Sequence, residues 1–115
     1  MANELYSAIV LSGSTDGQPI QVAATGTPGT VVHAASASPT IDLVWLWASN
    51  VTGSDVILTV EFGTAGAAFE VDQKITANDN ELVLAGVPLT NSKTVKVYAA
   101  SGSAINVYGF VHRIE

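Results

Sequence analysis

The sequence predicts an all-β fold, an antiparallel β-sandwich or jelly-roll-like barrel of about eight or nine short strands. Apolar residues recur mostly with a spacing of two, and short runs of Val, Ile, Leu, Thr and aromatic residues alternate with turn residues. No segment has the 3.6-residue period of an amphipathic helix. Since 115 residues make one ordinary domain, we expect a single sandwich over residues 1–115.

Each predicted strand is bounded by residues that reverse the chain. We place the strands at residues 5–11, 18–23, 30–34, 41–50, 55–62, 68–75, 81–84, 94–100 and 105–114. Segments rich in Gly, Asn, Asp, Ser and Pro separate them, at residues 13–17, 26–29, 50–54, 77–80 and 100–103. Because several of these segments have hairpin length, we expect mainly antiparallel pairing.

The spacing within strands predicts which residues are buried. In the fifth predicted strand, every second residue from Val56 to Phe62 is apolar, whereas Ile57, Thr59 and Glu61 fall on the other face, which we expect to be solvent-exposed. The fourth strand differs because both faces of residues 43–48 are apolar. We expect that strand to be central, with the second sheet on one face and a loop or a neighbouring subunit on the other.

Charge composition limits the partners. Charged residues make up 12% of the chain and hydrophobic residues 48%, whereas soluble domains usually carry about 25% charged residues. We therefore expect part of the exterior to be covered by copies of the chain or by a larger body. The net charge is −6 and the four basic residues are dispersed, which argues against nucleic acid and anionic membranes as partners.

The termini and the cysteine count add little about location. The chain has no cysteine, so the redox compartment is not indicated. The N-terminal apolar stretch at residues 8–11 is too short for the core of a signal peptide. We expect a protein that stays in the cytoplasm of the producing cell or leaves it by lysis.

No residue pattern indicates catalysis, a cofactor or a metal. His33 and His112 lie far apart, without a triad motif or enough companions for zinc. Glu70 and Asp72 share a strand face at the spacing of a glycosidase pair, but such acids usually line a solvated face. The Asn-Asp-Asn-Glu run at residues 78–81 offers oxygen ligands for calcium, although such clusters are typical of tight turns.

Aromatic residues are the best candidates for recognition. Trp45 and Trp47 share one strand face, and such a pair is able to stack on sugar rings, but we favour the core or a subunit interface for them. Tyr98, Tyr108 and Phe110 alternate with small or core residues, so we expect them to make exposed contacts.

Several stretches of the chain together carry a resemblance. They are residues 29–33 (GTVVH), 45–50 (WLWASN) followed by Gly53-Ser54 and a strand, 86–89 (GVPL), and 106–114 (NVYGFVHRI). This set resembles small all-β virion proteins of tailed double-stranded DNA bacteriophages, in particular the decoration or cement proteins of the capsid exterior. The resemblance extends over residues 29–114.

The resemblance implies a non-enzymatic structural role with no catalytic residues. It implies a trimer that binds the assembled shell, with copies of itself and the major capsid protein as partners, on the exterior of virions assembled in the host cytoplasm. Decoration proteins commonly use an N-terminal arm for shell contact, so residues 1–17 are a candidate arm, although their apolar run also fits an ordinary first strand. The candidate contact residues are Leu5, Tyr6, Ile9, Tyr98, Tyr108 and Phe110.

Other functions stay open. The main alternative is a carbohydrate- or receptor-binding sandwich of a phage tail or fibre, with aromatic platforms and Asn/Asp loops as its site. A hydrolytic enzyme is a distant third.

Overall fold

The computed structural model describes residues 6–64 and 66–115. Over these residues the chain forms nine β-strands and one short 3-10 helix, Ala67–Phe69. The strands are β1 (Tyr6–Val10), β2 (Ile20–Gln21), β3 (Thr30–Ala34), β4 (Ile41–Asn50), β5 (Val56–Gly63), β6 (Glu70–Ile75), β7 (Asn80–Leu89), β8 (Thr94–Ala99) and β9 (Ile105–Ile114). They form two antiparallel sheets around a common core, which confirms the predicted all-β sandwich.

The strand pairings are nested. Sheet A has the order β1-β9-β4-β7, with β2 also pairing with β9, and sheet B has the order β3-β8-β5-β6. The first strand pairs with the last, β3 with β8, β4 with β7, and β5 with β6. This is one long hairpin rolled up so that successive strand pairs alternate between two sheets, which is the jelly-roll arrangement.

The core lies between the sheets and is aliphatic. In β4 the buried positions alternate with partly exposed ones, so that Val44, Leu46 and Ala48 point inward. The same alternation places Val95, Val97 and Ala99 of β8 on the facing side. The other fully or almost fully buried aliphatic residues include Leu11, Val22, Val32, Leu58, Val60, Ile75, Ile105, Val107 and Val111.

Most strand boundaries agree closely with the prediction, but β2 and β7 differ. The strand predicted at residues 18–23 is reduced to Ile20–Gln21. β3, β4 and β9 have the predicted bounds, whereas the strand predicted at residues 81–84 extends from Asn80 to Leu89. The expected end before Gly86 and Pro88 is wrong because β7 is an edge strand. An edge strand tolerates a proline, which lacks a donor, and register shifts along β4 absorb the irregularity.

The outer face of sheet B is less exposed than the alternation predicts. Thr59 is 5% exposed and Glu61 only 1%. The Glu61 carboxylate accepts hydrogen bonds from the Thr27 hydroxyl and from the Gly29 backbone N–H, the latter at 2.7 Å. The expectation that Glu61 faces solvent is therefore wrong, because the loop before β3 folds over this part of the sheet.

Candidate interaction surface

Four aromatic side chains form an array on the outer face of sheet A. Trp45 and Trp47 of β4 lie directly opposite Phe110 and Tyr108 of β9. The ring centroids are 6.2 Å apart in the Trp45–Phe110 pair and 6.1 Å apart in the Trp47–Tyr108 pair, with nearly parallel planes. Contacts of Trp47 with Trp45 and Phe110 join the two pairs into one offset-stacked group.

This placement corrects the interpretation of Trp45 and Trp47 as core residues. Their neighbours Val44, Leu46 and Ala48 occupy the inward positions of β4 and are fully buried. The two indoles therefore lie on the outer face, where they are partly exposed. The core interpretation is wrong, and their alternative role at a subunit interface stays a prediction.

Two glycines allow the array to lie close to the backbone. A Cβ atom at Gly109 would lie 2.0 Å from the Trp45 carbonyl oxygen, so only glycine lets β9 approach β4 this closely. On the other side of β4, the Trp45 indole covers Gly86, where a Cβ atom would lie 3.0 Å from the ring. The Trp45 ring is thereby held against the edge strand β7.

Apolar residues surround the four rings. Val10 lies opposite Phe110 and is 50% exposed, and Leu82 lies opposite Trp47 and is 44% exposed. Leu43 and Pro88 pair in the adjacent part of β4 and β7. At the outward positions of the four longer strands of sheet A, the described chain has no Asp, Glu, Lys or Arg.

A row of uncharged polar side chains borders the array. Ser49 lies opposite Asn106 on one side and opposite Asn80 on the other. Ser49 lies on the same outward face as Trp47, which precedes it by two residues in β4. Within the described residues, none of these three side chains makes a hydrogen bond. Their polar groups are thus available to a partner beside the rings.

Sheet B carries the charge on its outer face. Glu61 lies between Glu70 and Lys96 on the neighbouring strands, and Asp72 accepts a hydrogen bond from the Thr59 hydroxyl. The Tyr98 hydroxyl donates to Glu70 at 3.3 Å. The two sheets therefore present chemically different faces to the outside.

The structure does not bring the predicted contact residues onto one surface. Tyr108 and Phe110 lie together on sheet A, whereas Tyr98 lies on sheet B. Ile9 packs partly buried against the core. The Tyr6 backbone pairs with Ile114, but its side chain and Leu5 lie outside the described residues.

A buried polar network joins the sheets at one end. The Arg113 guanidinium donates to both carboxylate oxygens of Asp42, at 2.8 and 3.0 Å, and His33 Nε2 lies 2.7 Å from Asp42 Oδ2. The Ser12 backbone N–H donates to His33 Nδ1 at 3.0 Å, so the neutral ring carries its proton on Nε2. Both ring nitrogens of His33 have partners, and the residue is 1% exposed.

The network keeps Asp42 ionised. Burial by itself raises the pKa of Asp42, but the hydrogen bonds from Arg113 and then from His33 outweigh it, so the pKa lies below its ordinary value. The hydrogen bond with Asp42 in turn raises the pKa of Arg113. The arrangement links β3, β4 and β9 as a structural ion pair.

The two carboxylates of the Asn-Asp-Asn-Glu turn accept hydrogen bonds within the chain. The Glu81 carboxylate accepts hydrogen bonds from the Thr76 backbone and the Gln73 side chain, and these bonds lower its pKa. Asp79 accepts a hydrogen bond from the Asn80 backbone. Among the described residues, no group of three or more His, Asp or Glu side chains is arranged to hold a metal ion.

Comparisons with known protein families, curated proteins and solved structures found no match. No helix in the described chain has the length and apolarity needed to cross a membrane. No pocket is detected over the same residues. The outer face of sheet A is therefore the candidate site on which we base a function.

Proposed function

We propose that this chain is a non-enzymatic structural protein of a tailed-phage virion, which binds and stabilises the capsid exterior as a decoration or cement protein. The observation that carries the proposal is the uncharged aromatic outer face of sheet A, opposite a charged face on sheet B. In this proposal, sheet A contacts the shell and sheet B faces water.

The chemistry of sheet A supports a protein partner. The centres of protein interfaces are depleted in charged residues and enriched in Trp, Tyr and Phe. This composition is provided on one face by Trp45, Trp47, Tyr108 and Phe110. Because the rings already pack against each other, binding would immobilise few additional side-chain rotamers.

The charge distribution supports the major capsid protein over nucleic acid. Two of the four basic residues are already in ion pairs, Lys74 with Asp55 and Arg113 with Asp42. Lys96 lies on sheet B, opposite Glu61 in the pairing of β8 with β5. Over the residues that the structure describes, the sheet A face has no basic patch, so its binding would depend on apolar burial rather than on phosphate contacts.

Co-sedimentation with purified capsid shells tests this proposal. We expect the protein to pellet with shells and the Phe110→Glu variant to bind at least about tenfold more weakly, because the substitution buries a charge at the centre of the contact. Val71→Glu is the matched control, since Val71 is 49% exposed on β6 and should tolerate a charge. Failure of the wild-type protein to bind shells, or equal binding by Phe110→Glu, would contradict the proposal.

A carbohydrate- or receptor-binding module of a phage tail or fibre is the second candidate. The row Asn106, Ser49 and Asn80 beside the stacked rings favours it, since sugars need both an aromatic surface and uncharged hydrogen-bonding groups. A glycan panel separates the candidates. Glycan binding that is lost in Asn106→Ala, without shell binding by the wild-type protein, would replace the first candidate with the second.

A further inference from the structure

We infer that the outer edge of β1 pairs with β1 of a second copy of this chain, which extends sheet A across a two-fold axis. Within the described chain, β1 pairs with β9 on one side only, so it is the terminal strand of sheet A. The backbone groups on its other side form a template for strand addition.

The other three sheet edges carry protective features. Strand β6 has Glu70, Asp72 and Lys74 in a run of six residues. Strand β7 contains Pro88 and lies along the register shifts in its pairing with β4. Charges, prolines and irregular register are the means by which proteins block edge pairing.

The edge of β3 is covered by the chain itself. The Gly13 backbone N–H donates to the Val32 carbonyl at 2.9 Å, and the Ala34 N–H donates to Ser12 Oγ at 2.8 Å. These bonds occupy the polar groups that a foreign strand would need. Strand β1, with the sequence YSAIV, has neither a charge, nor a proline, nor a covering segment among the described residues.

Geometry favours a second copy as the occupant, and the uncharged β1 edge does not oppose it. Two molecules of net charge −6 repel each other, but at β1 they meet through uncharged residues. Antiparallel neighbours in one sheet are related by a two-fold axis perpendicular to the sheet, so like faces lie on the same side. The pairing would thus join the two aromatic faces into one surface.

The area of sheet A supports such a joined surface. With strands about 4.8 Å apart and residues about 3.3 Å apart, its outer face covers on the order of 500 Å². A standard protein interface covers about 800 Å² of each partner, which two joined faces exceed and one does not reach. This role in capsid binding rests on the proposed function, whereas the pairing itself does not.

The inference predicts a dimer in solution. A β1–β1 contact joins two copies and leaves no further β1 edge, in contrast to the trimer that the resemblance implies. We expect sedimentation equilibrium to give a dimer mass for the wild-type protein and a monomer mass for Ala8→Lys, which places two positive charges together at the centre of the contact. Val71→Lys, which introduces a lysine at an exposed position of β6, should remain dimeric.

A cross-link provides a second readout that does not depend on a loss of stability. Full overlap of the two five-residue strands places Ala8 opposite Ala8, within reach of a disulfide. Since the chain has no cysteine, Ala8→Cys treated with diamide should give a cross-linked dimer, and Val71→Cys should not. A monomer or trimer mass for the wild-type protein, a dimer mass for folded Ala8→Lys, or equal cross-linking at both positions would overturn the inference. A dimer that does not bind shells would instead contradict only the proposed function.

Discussion

At the scale of single residues, Asp42 is the buried acid at the centre of the polar network that joins the sheets. Its carboxylate is fully buried, yet it accepts hydrogen bonds from Arg113 and His33 on two other strands. A buried ion pair costs desolvation when it forms, but removal of one partner leaves the other charge without compensation. Loss of Asp42 should therefore destabilise the fold more than loss of any exposed acid.

We predict that Asp42→Asn lowers the free energy of unfolding at pH 7 by about 2–3 kcal/mol, because Arg113 keeps its charge without a carboxylate partner. Urea denaturation measures this. Asp55→Asn, which removes the exposed pair with Lys74, should cost under about 0.5 kcal/mol. Equal losses in both variants would show that the network contributes no more than a surface pair.

The comparison of wild type with Asp42→Asn also gives a test of pH dependence. The pKa of Asp42 is lower in the folded protein than its ordinary value of 3.8, so its stabilising effect is fully present above that value. The effect decreases as the pH falls below 3.8 toward the folded-state pKa. The stability difference between wild type and Asp42→Asn should therefore narrow in this acid range, whereas a constant difference would contradict the ionised state assigned to Asp42.

At the scale of elements, the central pair β4–β9 positions the aromatic array. Each strand is ten residues long, and the two remain in register over their whole length. Gly109 permits this, because any side chain at that position would overlap the Trp45 carbonyl.

We predict that Gly109→Ala lowers the free energy of unfolding by about 2 kcal/mol or more, since the added methyl group must push β9 away from β4. Thermal or urea unfolding measures the change. Gly53→Ala is the control, because its Cβ would have no neighbour within 4 Å, and it should cost under about 0.5 kcal/mol. A neutral Gly109→Ala would mean that the two strands have room to separate.

The bounds of the strands could be predicted from the sequence better than the pairing between strands. The period of two predicts the observed bounds of β3, β4 and β9. It does not predict the second half of β7, because Gly86 and Pro88 normally end a strand. Only the strand pairing shows that β7 lies at an edge, where a proline is tolerated. The pattern also cannot assign the β4–β9 pairing between distant segments. The spacing of two places Ser49 on the same strand face as Trp47, but nothing in the sequence indicates that Asn106 and Asn80 lie beside Ser49.

At the scale of the whole molecule, the two sheets divide the surface by charge. Sheet A presents aromatic and uncharged polar groups, whereas the outer face of sheet B presents Glu70, Asp72 and Lys96. The few charged residues of the described chain thus lie away from the outer face of sheet A. The sequence predicts that part of the exterior is covered, but the sheet that is suited to this could be identified only from the fold.

We predict that shell binding changes less than about threefold between 0.05 and 0.5 M NaCl, because contacts between uncharged groups are not screened by salt. Co-sedimentation at several salt concentrations measures this. A decrease of more than about tenfold over the range would indicate that the charged groups of sheet B make the contact instead.

Both tryptophans of the chain belong to the array on sheet A, and the aliphatic core contains neither. Ultraviolet emission from this protein therefore originates almost entirely at the candidate binding face. A ligand that displaces water from the indoles will shift the emission to shorter wavelength, which makes the native chain its own fluorescent sensor without any added label.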